Sequence, residues 1–328
     1  MPFASVGGYV SVPVFQLAEG YLSVVVLLRS RRAVERRLET PRGLGTITTI
    51  GAFVVALIIA AGSTGFMAKP QANGPFNLLR PEDVADADYM LLLSSMEIMN
   101  FPEFIGAVTR IFDKAGVSWT ISSEAFEATN SGIQIGVSDL AAELVGRVVA
   151  AAEKLRVKNV ISPECGHAYM AIRWEGPNLI GRPFNFEVIH ILELLDQLRK
   201  EGRLKLQGKE TDRLTYHDPC QIGRRGGVLE QPRNLLKEIS DNFVELPEAG
   251  KMNWCCGAGG GVSTNERANE LRLKAFGAKK SQLDAIQVDG MVSACSNCRI
   301  HLEEGLEEYH MDVPILSLTE LIEKHLAD

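Results

Sequence analysis

Cysteine is scarce in this 328-residue sequence, with six residues and none before Cys165. A ferredoxin-type Cys-x-x-Cys-x-x-Cys-x-x-x-Cys-Pro run is therefore absent. Positive charge is also in deficit: 34 Lys and Arg face 41 Asp and Glu, a net charge of −7. The deficit is uneven, because residues 1–68 hold six Arg and three Glu, a balance of +3, and the remainder carries −10. An acidic body argues against nucleic-acid binding. Hydrophobic residues make up 46% of the chain, enough for a core that needs no disulfide framework. The cysteines call for another explanation.

Charge is missing altogether from residues 43–68, and residues 7–28 contain only Glu19. About 20 uncharged apolar residues suffice to cross a bilayer, so 43–68 is a candidate membrane segment within an apolar N-terminal region, 1–73. A cleaved signal peptide fits less well, since the apolar core lies far from the start. The Arg-rich block 29–42 should face the cytoplasm. One crossing after it would export the rest of the chain. A re-entrant or surface-lying segment removes the conflict, as does an N-terminus foreign to the remainder. The expectation is membrane association with the cysteine-bearing part on the cytoplasmic face.

From Tyr89 short apolar runs alternate with amphipathic stretches, the pattern of an α/β fold. Residues 89–93 and 117–121 read as strands and 102–115 as a helix stopped by Gly116. Ser138–Leu155 has helical spacing, with acidic residues near its start and basic ones near its end. Residues 159–162 lead into Pro163-Glu-Cys-Gly-His167, and 186–199 reads as a helix. The order then recurs, with strands at 214–217 and 242–246 and helices at 232–239 and 317–326. Ser263-Thr-Asn-Glu266 is a capping-box pattern opening a helix towards Lys280. The halves overlay: Met96-Glu97 falls on Pro219-Cys220, Asn130-Ser-Gly132 on Cys255-Cys-Gly257, and Glu164-Cys-Gly-His167 on Cys295-Ser-Asn-Cys298. This predicts two pseudo-symmetric Rossmann-like modules, 74–200 and 201–328, of which only the second keeps its cysteine set.

That set is Cys220, the pair Cys255-Cys256, and Cys295-Ser-Asn-Cys298, separated by 34 and 38 residues. Each gap holds about one strand–helix unit, so the clusters should sit on loops at one end of a sheet and converge on one object. A structural zinc takes four ligands, and an adjacent Cys-Cys pair is awkward for one tetrahedral ion. An iron–sulfur cluster offers several irons to neighbouring cysteines. Zinc and unrelated thiols remain the alternatives at this point.

The pattern Cys…Cys-Cys-Gly…Cys-x-x-Cys resembles the cysteine-rich CCG domain of heterodisulfide reductase catalytic subunits. Tyr216-His-Asp-Pro-Cys-Gln-Ile-Gly-Arg-Arg-Gly-Gly, Met252-Asn-Trp-Cys-Cys-Gly and Pro163-Glu-Cys-Gly-His-Ala-Tyr are similar to DsrK-type subunits of membrane complexes tied to dissimilatory sulfur metabolism. The resemblance starts near Gly74. It implies a noncubane [4Fe–4S] cluster on Cys220, Cys255, Cys256, Cys295 and Cys298. It also implies electron exchange between a quinone-linked membrane complex and a disulfide or trisulfide on a small sulfur-carrier protein with C-terminal cysteines. The missing ferredoxin motif departs from the DsrK pattern. Electrons would come from a ferredoxin-like donor and a membrane cytochrome or quinone-interacting subunit. The alternative is a non-catalytic electron-transfer or assembly CCG subunit of another respiratory or glycolate-oxidase-like complex.

Other residues invite roles. Gly257 and Gly259, in Gly257-Ala-Gly-Gly-Gly261, could let backbone amides approach cluster sulfides. Arg224 and Arg225 could balance cluster charge or receive an anionic substrate. His217 and Asp218 read as capping or proton-transfer groups. His190, His301, His310 and His325 lack an evident partner. His167 is expected to be the proton donor for thiolates released at the site, with Glu164 orienting it and Cys165 an auxiliary thiol.

Overall fold

A computed structural model describes residues 82–127, 130–259, 261–262 and 265–327. The expectations for 1–73, including the segment 43–68, lie outside the described residues. Among those described, no helix is long and apolar enough to cross a membrane.

Two parallel sheets carry the chain. The first joins β1 (Tyr89–Leu91), β2 (Trp119–Thr120), β3 (Asn159–Ser162) and β4 (Glu187–His190) in the order β2-β1-β3-β4. The second joins β5 (Leu214–His217), β6 (Gly290–Ser293) and β7 (Ile315–Ser317) in the order β5-β6-β7. Parallel strands require crossovers, and helices supply them. In the first sheet these are α1 (Ser95–Asn100), α2 (Pro102–Lys114), α3 (Asn130–Gln134), α4 (Ser138–Leu155), α5 (Gly166–Met170) and α6 (Gly176–Ile180), and α7 (Ile191–Lys200) follows the last strand. In the second they are α8 (Glu230–Ile239), α9 (Asn269–Ile286) and α10 (Ser296–Glu308), and α11 (Leu318–Lys324) follows the last strand.

Local chemistry explains the ends of these helices. In α4 Leu140, Leu144, Val148, Ala152 and Leu155 recur at helical spacing and are buried, and Arg156 closes the helix with φ 54°. At α7 the Glu193 carboxylate accepts the His190 N–H at 2.8 Å, and His190 Nδ1 accepts the Leu192 N–H at 3.3 Å. This box splits the single helix expected over 186–199. Residues 187–190 instead pair in register with 159–162 as β4.

Three further expectations shift. The strand over 117–121 contracts to β2. Residues 242–246 form no strand, although Val244 N–H donates to Leu214 O at 2.8 Å, on the side of β5 away from β6. There Asn242 binds Thr211 O through its side chain and the Ser240 hydroxyl through its N–H, so a local turn competes with the ladder. The helix foreseen from the box at 263–266 begins at Asn269, after a 3₁₀ turn capped by Asn265. Ser263 and Thr264 lie outside the described residues.

Both sheets share one core, in which Leu91, Ile161, Tyr169, Leu195, Ile222, Leu236 and Val292 belong to a single buried cluster. The helix contacts across the seam are reciprocal. α2, the longer helix after β1, packs on α11, the last of the chain; α8, after β5, packs on α7, the last of the first half. Arg110 Nε meets Glu323 at 2.5 Å in the first contact, and Arg199 meets Glu238 at 2.8 Å in the second.

Candidate iron–sulfur site

The C-terminal ends of β3, β5 and β6 deliver three loops to the seam. β5 ends at His217, and Asp218-Pro219 leads to Cys220 and a π-helical turn, Gln221–Arg225. β6 ends at Ser293, so Cys295 becomes the N-cap of α10 and Cys298 falls in its first turn. β3 delivers Glu164, then Cys165 as N-cap of α5. Cys255 and Cys256 follow the 3₁₀ turn Gly250–Met252.

All five expected ligands line one cavity with Gly166, His167, Pro219, Gln221, Gly259 and Asn297. Cys256, Cys295 and Cys298 are buried and form its floor, whereas Cys220 and Cys255 are partly exposed at its mouth. Cys256 Sγ lies 3.2 Å from Cys298 Sγ, and Cys220 Sγ 3.7 Å from Cys255 Sγ. The Gly257 N–H donates to Cys255 Sγ at 3.4 Å, made possible by a backbone at φ 92°.

The electrostatics bear on what this donor set can hold. Hydrogen bonding to Cys255 and burial push the thiols of Cys220 and Cys256 up; contacts with Cys256 and Cys295 do the same to Cys298. Cys255 is held down by hydrogen bonds from Cys220 and Cys256, and Cys295 by one from Cys298, then the Gly166 N–H. Five thiolates cannot share so small a space unless cations compensate them, and bound metal deprotonates such thiols outright. Unpaired polar atoms collect in the same place. Both ring nitrogens of His217 and the side-chain oxygen of Gln221 are buried without partners among the described residues. The residues present fit an iron–sulfur cluster.

Other anticipated residues take more specific places. Arg224 donates to Lys251 O at 2.8 Å and to Asn253 O, so its guanidinium braces the loop before Cys255 rather than facing the cavity. Arg225 pairs with Glu175 at 3.8 Å. A Cβ on Gly259 would stand 3.1 Å from His167 Nε2, so that glycine makes room for the imidazole. Asp218 is a clamp: it accepts Arg233 at 2.8 and 2.9 Å and the Gly250 N–H at 2.7 Å. His167 is on the cavity wall, and burial lowers its pKa.

Glu164 is fully enclosed and points elsewhere. Its Oε1 accepts the hydroxyls of Ser317 and Thr319 and the Thr319 N–H, at 2.8–3.1 Å. No hydrogen bond joins it to His167 among the described residues. Cys165 is buried, its thiol raised by burial, and it is not among the residues lining the cavity. Two of the histidines that lack an evident partner in the sequence also find places. His325 sits between Gln207 O and Glu210, both at 2.9 Å, and His301 beside Arg272 and Glu304.

One residue was not legible in the sequence. Lys279 is buried, with Nζ donating to Asn253 Oδ1 at 2.8 Å and Gln282 Oε1 at 2.7 Å. Burial lowers its pKa to about 8, while Asp218 and the cysteines oppose the shift. Lys279-Lys280 reads as an exposed helical pair, and only packing separates them.

The family model for the cysteine-rich CCG domain matches residues 214–303, which spans all five site cysteines. A dihydromethanophenazine:CoB–CoM heterodisulfide reductase subunit of Methanosarcina mazei is 31% identical over 226 residues, 67% of this chain and 54% of that protein. This chain belongs to the heterodisulfide reductase-like CCG family. An EtfAB:quinone oxidoreductase of Syntrophomonas wolfei is 31% identical over 255 residues, 75% of this CCG chain and 35% of the relative. The Hdr-like menaquinol oxidoreductase iron–sulfur subunit 2 of Archaeoglobus fulgidus is 25% identical over 249 residues, 64% and 44%. The chain thus spans about half the length, or less, of these curated relatives. Among solved structures, a putative Asp/Glu racemase from Yersinia pestis aligns over 72% of this chain and 96% of its own at 12% identity and a TM-score of 0.33, too low to bear on function.

Proposed function

We propose that the chain is the iron–sulfur subunit of a heterodisulfide reductase-like oxidoreductase. The observation that carries this is the convergence of Cys220, Cys255, Cys256, Cys295 and Cys298 on one partly buried cavity at the ends of β5 and β6. When bound, a noncubane [4Fe–4S] cluster would supply one-electron steps and iron for a substrate sulfur. The Gly257 amide would donate to sulfur at the rim, and the Arg224 and Asp218 braces would keep the two central cysteine loops in register.

The names of the relatives support a place in a quinone- or menaquinol-linked complex. We read the partners as a membrane cytochrome or quinone-interacting subunit and a ferredoxin-like donor, with the site on the cytoplasmic face. The motifs shared with DsrK-type subunits favour a disulfide or trisulfide of a small sulfur-carrier protein as substrate. The matching runs β1-β3-β4 and β5-β6-β7 and the reciprocal helix pairing support two modules, 74–200 and 201–328, related by a repeat. In this reading His167, on the wall, donates the proton to released thiolate; Glu164 holds the seam, and Cys165 packs as a small apolar group.

Anaerobic purification followed by iron and acid-labile sulfide analysis tests the cofactor. About four irons per chain are expected; stoichiometric zinc without sulfide rejects the reading. Turnover with a disulfide then separates a catalytic subunit from a carrier. His167→Ala should slow turnover and keep the cluster spectrum, and full activity would remove the proton-donor role.

A further inference from the structure

His217 is the last residue of β5, and its side chain has no exposed surface. One ring nitrogen lies within 4.8 Å of Sγ of both Cys256 and Cys298, and neither nitrogen has a hydrogen-bond partner among the described residues. An imidazole carries at least one N–H in every protonation state. A buried donor left unpaired costs about 1–3 kcal/mol. Its neighbours deepen the deficit: Thr215, two residues earlier on the same strand, and Ser293, its register partner on β6, also hold buried hydroxyls without partners among the described residues. The ends of β5 and β6 thus carry three buried polar side chains unpaired among the described residues, with His217 beside Cys256 and Cys298.

We propose that His217 donates an imidazole N–H hydrogen bond to a sulfur of the bound cluster beside Cys256 and Cys298, and so helps to set its reduction potential. The proposal rests on the iron–sulfur reading above. A ligating role fits less well, because a metal-bound histidine almost always passes its second N–H to a carboxylate, carbonyl or water. His217 has no such partner among the described residues. Hydrogen bonds to cluster sulfurs stabilise the more negative, reduced form and move the potential upward.

The test uses the full-length chain, purified anaerobically with its cluster, labelled with isotopic histidine and exchanged into deuterated water. Pulsed EPR and redox titration are run beside His217→Leu and His217→Gln, with iron and sulfide assayed in each. The native chain should show a weak histidine-nitrogen coupling and an exchangeable-proton coupling. His217→Leu should lose both and titrate at lower potential, and His217→Gln, which keeps an N–H, should recover part of the shift. A strong coupling from directly bonded nitrogen overturns the donor role, and so does an unchanged potential in His217→Leu. If His217→Leu fails to hold iron, the native signal decides. Its absence overturns the proposal, and its survival in His167→Ala assigns it to His217. Native protein without iron and sulfide would fail the iron–sulfur reading itself, a result distinct from failure of the His217 contact alone.

Discussion

Ser296 donates its hydroxyl to Glu97 at 2.8 Å across the seam, although 199 positions separate them in the chain. Both side chains are buried. Glu97 also accepts the Ser94 N–H at 3.2 Å and the Ser94 hydroxyl, closing a capping box on α1. In the proposed overlay of the halves, Glu97 falls on Cys220. In the first half that position supports the Cys295–Cys298 turn. A second bond from Ser296 tightens the same seam, its N–H donating to Glu164 O at 2.7 Å.

Removing the first of these supports should loosen the turn. Glu97→Ala leaves the Ser296 and Ser94 hydroxyls unpaired in the interior, at a cost of about 1–3 kcal/mol. Urea denaturation should register that loss, and iron retained after gel filtration should fall. Unaltered stability would mean that water replaces the carboxylate.

Arg233 offers a sharper test of the scaffold. It holds Asp218 through two bonds and Glu245 through two more, at 2.6–2.9 Å, with Asp218 buried. Arg233→Leu strands a buried carboxylate, which typically costs about 3–5 kcal/mol. Thermal unfolding should show a large drop, and Asp218→Asn in the same background should recover part of it.

Glu164 should impress a pH dependence on stability. Burial raises its pKa from 4.5 to about 7, against the pull of Arg299. The folded chain therefore binds this proton more tightly than the unfolded chain. The contribution is full below about pH 4.5 and is lost as pH rises through about 7, with a span on the order of 3 kcal/mol. Glu164→Gln should flatten the fall of stability between about pH 5 and 7. An identical slope in both proteins would show that the carboxyl is not protonated in the fold.

The cysteines divide into two kinds. Cys298→Ser should lower iron content well below the roughly four per chain of the native protein, because it removes a donor from the floor. Cys165→Ser should leave iron content and spectrum unchanged, since Cys165 does not line the cavity. Equal losses in both variants would make Cys165 part of the site.

Ser138–Leu155 could be read to the residue, because its apolar spacing, its charges and its end all agree on one helix. The five-cysteine set was legible for a related reason: thiols at these spacings have few uses, and strand–helix units of that length bring their loops to one end. Periodicity alone could not resolve residues 186–199, where β4 and α7 share one amphipathic run and pairing with β3 decides the boundary. The site's inner wall was hidden more deeply. Lys279 and Glu97 are ordinary polar residues in sequence, and His217 reads there as a capping or proton-transfer group; the surroundings of all three arise from burial beside groups tens to hundreds of positions away. Local pattern determined the elements and the cysteine set. Only tertiary packing decided which polar side chains lose water, and desolvation turns those few into parts of the site.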